Sequence, residues 1–211
     1  MHRPIQSLLF VALTSLGLLT TACISSTRGG PSNQQVSDSP WVQPSPLLQQ
    51  QIEDEIKRLP YTKRLQRLEQ IRWFASVGEP AYAYLLELIE DENGDVAMSA
   101  MASLGATLDS RLVPYIRAAS WDPSQTNTNL ALERSRTLLR LGDWSEIPVL
   151  VAGLRSQDRY TRSLSIDALR EVTGEDLDYD PRATPETREA AALRWDLWWQ
   201  TRSGDSMLSR R

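Results

Sequence analysis

The spacing of apolar residues constrains the fold of this chain more than any other feature of its sequence. Between residues 47 and 199, apolar side chains recur every three or four positions. No segment bounded by turn residues shows alternating apolar and polar positions. A half-buried β-strand requires that alternation, whereas an amphipathic helix requires the longer period. The sequence therefore predicts an all-α domain.

Local motifs predict where the helices begin and end. Proline is tolerated in the first turn of a helix, glycine often terminates one, and Ser, Thr and Asp cap the amino end. The predicted boundary residues are Pro60, Gly78, Pro80, Asn93-Gly94, Asp95, Gly105, Asp109 or Ser110, Thr126, Gly142, Ser145, Asp158, Gly174 and Thr184. We expect short turns between successive helices throughout this region.

The prolines indicate a repeated unit. Pro80, Pro114 and Pro148 stand 34 residues apart, each near the start of the second helix of a predicted pair. A fixed spacing of this size is typical of solenoids. The helices after Asp95 and Asp158 also match each other, at an offset of about two repeats. The pattern favours repeated helix pairs, and an irregular bundle with chance proline spacing is the alternative.

These motifs resemble the HEAT repeat family, whose first helices carry an Asp-x-x-Val-Arg-x-x-Ala-x-x-Ala-Leu-Gly pattern and whose second helices begin with proline. The similarity covers about residues 61 to 173 and is best over residues 141–150. The resemblance implies a short right-handed α-solenoid of antiparallel helix pairs, an armadillo-type superhelix, over residues 47–203. Trp195 and Trp199 on the last helix are expected to cover its apolar end, with a partner-binding hot spot as the alternative.

The amino terminus is typical of a secreted precursor. Arg3 precedes a mostly apolar run over residues 8–19, which is shorter than the about 20 residues of a membrane-spanning helix. The segment from Leu19 to Cys23 is similar to the lipobox of bacterial lipoproteins, although the family prefers leucine where Thr20 stands. The resemblance implies a signal peptide over residues 1–22, cleavage after Ala22 and lipidation of Cys23. An ordinary secretory signal is the alternative.

The sequence after Cys23 leads to three further expectations. Because Ile24 follows Cys23, the lipobox resemblance implies an anchor in the outer membrane, facing the periplasm. Residues 23–46 are rich in Ser, Gln, Gly and Pro, which predicts a flexible tether, and residues 204–211 are expected to form a disordered tail. For Trp41 the sequence leaves open whether the side chain docks on the domain or is exposed.

The inventory of reactive side chains argues against catalysis. The chain has one cysteine and one histidine, Cys23 and His2, and both lie in the predicted targeting region. The mature domain would then contain no Cys–His or Ser–His arrangement and no Cys- or His-ligated zinc. No phosphate-binding or dinucleotide motif occurs, so we expect no cofactor and no small-molecule substrate. A net charge of −4 gives no electrostatic support for a nucleic-acid partner.

Clustered carboxylates form two further candidate sites, one for a cation and one for acid–base chemistry. Asp176, Asp178 and Asp180 alternate as ligands do at the start of an EF-hand, but Pro181 stands where that motif requires glycine. A solvated acidic turn is the favoured interpretation of this segment. The carboxylates between residues 87 and 92 favour a solvated helix end over an acid–base pair.

Together these observations favour a membrane-anchored, non-catalytic scaffold that presents the second helices of its repeats to another envelope protein. Arg111, Tyr115 and Arg117, on one such helix, are the candidate contacts, and ordinary solvent exposure is the favoured alternative for each. Two alternatives stay open. One is an envelope enzyme that uses only carboxylates, for example on glycans, and the other is a purely structural subunit of an envelope assembly.

Overall fold

Helices account for most of the chain that the computed structural model describes, residues 39–120 and 128–204. These residues contain nine α-helices and no β-strand, which confirms the predicted all-α class. The helices are α1 (Pro46–Arg58), α2 (Leu65–Val77), α3 (Tyr82–Leu88), α4 (Gly94–Ala106), α5 (Val113–Ala118), α6 (Thr128–Arg140), α7 (Ile147–Gly153), α8 (Arg159–Thr173) and α9 (Pro185–Ser203). Ala22 and Cys23 lie outside the described residues.

Most helix ends follow the local chemistry of the sequence. Gly78 and Gly174 end α2 and α8 with φ angles of 69° and 70°, a backbone region that favours glycine. The side chains of Asp158 and Thr184 cap α8 and α9 by accepting hydrogen bonds from backbone N–H groups. These four predicted boundaries are confirmed.

Two predicted caps are wrong, because the observed cap lies two residues earlier in each case. Asn93-Gly94 does not close a helix but opens α4, because the Asn93 side chain accepts a hydrogen bond from the N–H of Asp95. The turn before α7 is likewise capped by Asp143 rather than Ser145. Asn and Asp side chains often bond the backbone two residues further on, and this contact moves the cap towards the amino terminus.

The short helices α3, α5 and α7 share one local structure. Each follows a single 3-10 turn, namely Glu79–Ala81, Ser110–Leu112 and Trp144–Glu146. Pro80 lies in its 3-10 turn, whereas Pro114 and Pro148 lie in the first turn of α5 and α7. Asp109 and Asp143 cap the second and third of these turns. The 34-residue recurrence in the sequence therefore corresponds to a recurring turn and helix.

The longer helices pack side by side in chain order. Helix α2 packs on α4, α4 on α6, and α6 on α8, while the short helices α3, α5 and α7 contact the longer helix that follows each of them. One apolar cluster surrounds Phe74 and Leu104, and another surrounds Leu150, Leu169 and Trp195. Packing between successive helices thus buries a core along the unit.

Two glycines permit close approach between helices. A Cβ atom on Gly105 of α4 would lie 3.2 Å from the hydroxyl oxygen of Thr137 on α6. A Cβ atom on Gly153 of α7 would overlap the hydroxyl oxygen of Ser165 on α8. The α7–α8 contact therefore depends on the absence of a side chain at position 153.

Trp41 joins the chain before α1 to the helical unit, which begins at Ser39. The indole is 7% exposed, with ring centroids 5.1 Å from Tyr82 and 5.0 Å from Tyr115, and the Arg111 guanidinium lies 5.5 Å from its centre. Residues 39–46 are therefore part of the folded unit rather than of the tether expected over residues 23–46. The reason is that the indole packs against aromatic side chains of two helices that are distant from it in sequence.

Candidate functional site

A groove of about 870 Å³ opens between the start of α5, the turn between α6 and α7, and the end of α9. Apolar and aromatic side chains supply most of its lining, and small polar residues supply the rest. The lining comprises Ser110, Val113, Pro114, Leu141, Gly142, Asp143, Trp144, Ser145, Trp199 and Ser203. Its volume lies in the range of about 300–1,000 Å³ that is usual for binding sites. A concave apolar surface with a few polar groups suits the binding of an apolar segment.

Local backbone structure positions the two tryptophans of the groove. Gly142 has a φ of 95°, which lets the chain turn sharply after α6. Trp144 follows directly in the 3-10 turn that Asp143 caps. On α9, Trp195 is completely buried in the second apolar cluster and fixes the helix, and Trp199 lies one turn further on. Trp195 thus closes the core, while Trp199 forms a wall of the groove.

Asp143 is the one carboxylate among the described residues that line the groove. One oxygen of Asp143 lies 2.5 Å from Nε of Arg117, and the other accepts a hydrogen bond of 2.7 Å from the Ser145 hydroxyl. Arg117 also contacts the buried Glu146 at 3.2 Å, and Glu146 in turn accepts a hydrogen bond from Ser135. The carboxylate of Asp143 is therefore committed to positioning the turn, so it shapes the rim of the groove.

Arg111, the first of the three predicted contact residues, joins two successive 3-10 turns. Its guanidinium lies 2.7 Å from Asp109 and 2.9 Å from Glu79. Hydrogen bonding to Arg111 holds the pKa of Asp109 below its ordinary value, and the Tyr82 hydroxyl donates a further hydrogen bond to the same carboxylate. Arg111 thus links the turn before α3 to the turn before α5.

Tyr115 and Arg117 lie on α5 itself and have different neighbours. Tyr115 packs against Trp41 and keeps 40% of its surface exposed. Arg117 reaches the rim of the groove through Asp143. None of the three predicted contact residues lines the groove, although Arg111 and Tyr115 meet at Trp41. Their role as partner contacts stays a prediction.

Sequence reasoning missed Trp144 as a residue of a binding site, and it gave Trp199 a partner-binding role only as the alternative to covering the end of the domain. Trp144 lies inside the segment that best matches the HEAT pattern, and Trp199 lies in the tryptophan-rich last helix. Both positions are explained equally well by packing within a repeat array. Only the approach of α9 to the α6–α7 turn places the two indoles in one groove.

The acidic residues between α8 and α9 form hydrogen bonds with different groups and do not converge on one point. Asp176 accepts hydrogen bonds of 3.1 and 2.7 Å from Arg170, whereas Asp180 accepts one from the N–H of Arg182. Asp178 has a positive φ of 54° in the turn between them. In the described ranges no group of three or more His, Cys, Asp or Glu side chains is arranged to hold a metal ion.

None of the helices within residues 39–120 and 128–204 combines the length and apolar character needed to cross a bilayer. Comparisons with models of protein families, with curated proteins and with solved structures found no match to this chain.

Proposed function

We propose that this chain is a non-catalytic scaffold lipoprotein of the bacterial cell envelope. In this proposal the groove between α5 and α9 holds an apolar segment of another envelope protein. The groove, with Trp144 and Trp199 on its walls, is the observation that carries the proposal. Tryptophan is enriched among the residues that dominate the energy of protein interfaces.

The arrangement of the helices supports a short α-solenoid as the framework of this scaffold. Each long helix from α2 to α8 contacts the next long helix, and a short helix begins after a 3-10 turn between them. This alternation is what stacked antiparallel pairs of the HEAT type require. Stacked pairs create extended surfaces on which partners bind.

The polar groups of the groove favour binding over catalysis. A glycosidase mechanism uses two carboxylates about 5 to 9.5 Å apart on either side of the reacting bond. Asp143 is bound by Arg117 and Ser145, and the remaining polar lining of the described groove is hydroxyl groups and backbone. No observation on the described residues favours the glycan-acting alternative.

The anchor belongs to the same proposal and rests on the lipobox resemblance around Cys23. Two or more acyl chains bury enough methylene groups, at about 0.8 kcal/mol each, for stable attachment to a membrane. The tether between Cys23 and Ser39 would then hold the groove close to the outer membrane on its periplasmic side. Mass spectrometry of the mature amino terminus tests this part, because an unmodified peptide that begins elsewhere contradicts the anchor.

Site-specific crosslinking in living cells tests the groove. A photoreactive residue at Ser203, on the groove wall, should give one discrete adduct with another envelope protein. The matched control is Ser76, an exposed serine on α2 that does not line the groove. Replacing Trp144 by Ser in the Ser203 chain should abolish the adduct, because it removes a wall of the site.

The control positions decide how the crosslinking result is interpreted. Equal adducts from Ser203 and Ser76 would indicate random collisions on the membrane and would contradict a specific groove. An adduct that survives the loss of Trp144 would place the partner elsewhere on the domain. Circular dichroism on each purified variant must show unchanged helix content for the comparison to hold.

A further inference from the structure

Positive charge is concentrated in one segment of an otherwise acidic chain. The net charge is −4, yet residues 57–72 contain six cationic residues, including both lysines of the sequence, and a single carboxylate, Glu69. The cationic residues are Lys57, Arg58, Lys63, Arg64, Arg67 and Arg72. A local excess of this kind attracts an anionic partner even when the whole protein is acidic.

Half of these cations are already neutralised within the protein. Lys57 lies 3.1 Å from Asp54, Arg58 lies 2.6 Å from Glu55, and Arg67 lies 3.4 Å from Asp95.

Lys63, Arg64 and Arg72 differ from the other three. They are exposed and form no ion pair with any residue in the described ranges. Three uncompensated positive charges therefore lie along the turn before α2 and on α2 itself.

Large apolar side chains are exposed between these charges. Tyr61 is 84% exposed, Leu65 is 64% exposed and Leu68 is 42% exposed. Leu65, Leu68 and Arg72 follow a spacing of three and four residues, so they share one face of α2. The opposite face carries the buried Gln70 and Phe74. Helix α2 thus buries one side in the core, and its outward side carries the two leucines, Arg72 and the one carboxylate of the segment, Glu69.

The backbone before α2 supports a special role for this surface. Arg64 has a φ of 51° and a ψ of −121°, an unfavourable conformation for a residue with a side chain. A glycine at this position would relieve the strain, yet the chain carries a cation there. Strained residues cluster at sites where the side chain has a function.

We propose that this surface docks on an anionic phospholipid membrane. We call it the α2 patch, and it consists of Tyr61, Lys63, Arg64, Leu65, Leu68 and Arg72. The leucines and the tyrosine would enter the boundary between headgroups and acyl chains, while the three cations bind lipid phosphates. Exposed apolar side chains beside uncompensated cations suit binding at a membrane surface, where the apolar groups enter the interface and the cations meet the phosphates.

Charge complementarity requires an anionic partner, and the open shape of the patch favours a lipid surface over an acidic protein. Protein hot spots are usually anchored in a pocket, whereas the α2 patch is the outward face of a helix and the turn before it. Long cationic side chains can spread over a fluid layer of headgroups without a matching shape. The proposal does not depend on lipidation of Cys23, and it adds a second attachment if that anchor is present.

Vesicle sedimentation tests the proposal on the full chain carrying Cys23→Ser, so that no lipid anchor contributes. The vesicles contain phosphatidylcholine alone or equal parts of phosphatidylcholine and phosphatidylglycerol. We expect binding to the anionic vesicles to fall by at least about tenfold in Lys63→Glu/Arg72→Glu. Arg159→Glu/Arg182→Glu, which reverses two exposed charges outside the patch, should bind like the parent chain.

All chains in this experiment share residues 1–38, so any binding by that segment cancels in the comparison. Leu65→Ser/Leu68→Ser should also weaken binding, because it removes the apolar contact without changing charge. Higher salt should weaken binding of the parent chain, since it screens the cations.

Three results would overturn the membrane assignment. Equal losses in both charge-reversed variants would indicate general electrostatics instead of a patch. Undiminished vesicle binding in the patch variant would show that the patch does not bind the membrane, and capture of an acidic protein through the patch without vesicle binding would show a different partner. None of these results affects the groove, which the Ser203 crosslink tests separately.

Discussion

Replacing Gly153 by alanine tests the close contact between α7 and α8. The added methyl group would overlap the hydroxyl oxygen of Ser165 and lie 3.2 Å from both the Ser165 Cβ and the Leu132 Cδ2. Ser165 is completely buried and donates a hydrogen bond to the carbonyl of Thr161, so its side chain has little freedom to move. The helices must therefore separate, or the rotamer must change.

The magnitude follows from two opposing effects. Overpacking a well-filled core typically costs about 1–3 kcal/mol. Alanine is favoured over glycine in a helix by up to about 1 kcal/mol, and less at position 153, which is the last residue of α7. We expect Gly153→Ala to lower the free energy of unfolding by roughly 2 kcal/mol, which corresponds to a loss of about 4–8 °C in Tm for a unit of this size.

A double-mutant cycle isolates the cause. Ser165→Ala alone should cost about 1 kcal/mol or less, because it removes one hydrogen bond and creates little space. In the double variant the overlapping oxygen is gone, so the two substitutions should show a coupling energy of at least about 1 kcal/mol. Gly94→Ala is the matched control, since a Cβ atom there has no neighbour within 4 Å.

Urea denaturation followed by circular dichroism provides the free energies of unfolding. Strict additivity of the two substitutions would refute the proposed contact between positions 153 and 165. So would a Gly153→Ala chain that is as stable as Gly94→Ala, because the clash would then be absent.

Three further substitutions test other contacts of the unit. Trp41→Ala should lower the free energy of unfolding by up to about 3 kcal/mol and expose residues 39–46 to limited proteolysis, since the indole is their main buried contact. Arg162→Met should cost about 3 kcal/mol in urea denaturation, because the buried guanidinium donates to three backbone carbonyls, including that of Pro181. In the parent chain the lowered pKa of Asp109 contributes stability that is present above about pH 4 and lost as the pH falls through that pKa. Arg111→Gln should reduce this contribution, so the two chains should differ in stability at neutral pH and converge in acid, as unfolding curves at several pH values would show.

The helical class and many helix ends could be predicted because they depend on neighbours in sequence. Gly78, Gly174, Asp158 and Thr184 act within one or two turns of their own helices, where the hydrogen-bonding groups are fixed by the chain. The recurring prolines predicted the recurring turns for the same reason. Where two capping residues stood close together, as at Asn93 and Asp95, composition alone could not rank them.

The candidate site could be predicted only in part. Arg111, Tyr115 and Arg117 are predicted from the sequence as partner contacts on a second helix, yet each contacts residues of this chain that are distant in sequence. Arg117 pairs with Asp143, 26 positions away, and the groove that Asp143 lines includes Trp199. Contacts between residues so far apart in sequence depend on how the helices pack, which no local pattern encodes.

The sequence by itself determined that the chain forms helices, where most of them stop, and that its one cysteine lies in a segment similar to a lipobox. Those features depend on backbone geometry and on residue chemistry over a few positions. Only the tertiary structure decided that Trp41 docks, that Trp144 and Trp199 share a groove, and that one face of α2 is left uncovered. Burial depends on how helices pack against each other, so which residues stay exposed is decided only by the tertiary arrangement of the helices.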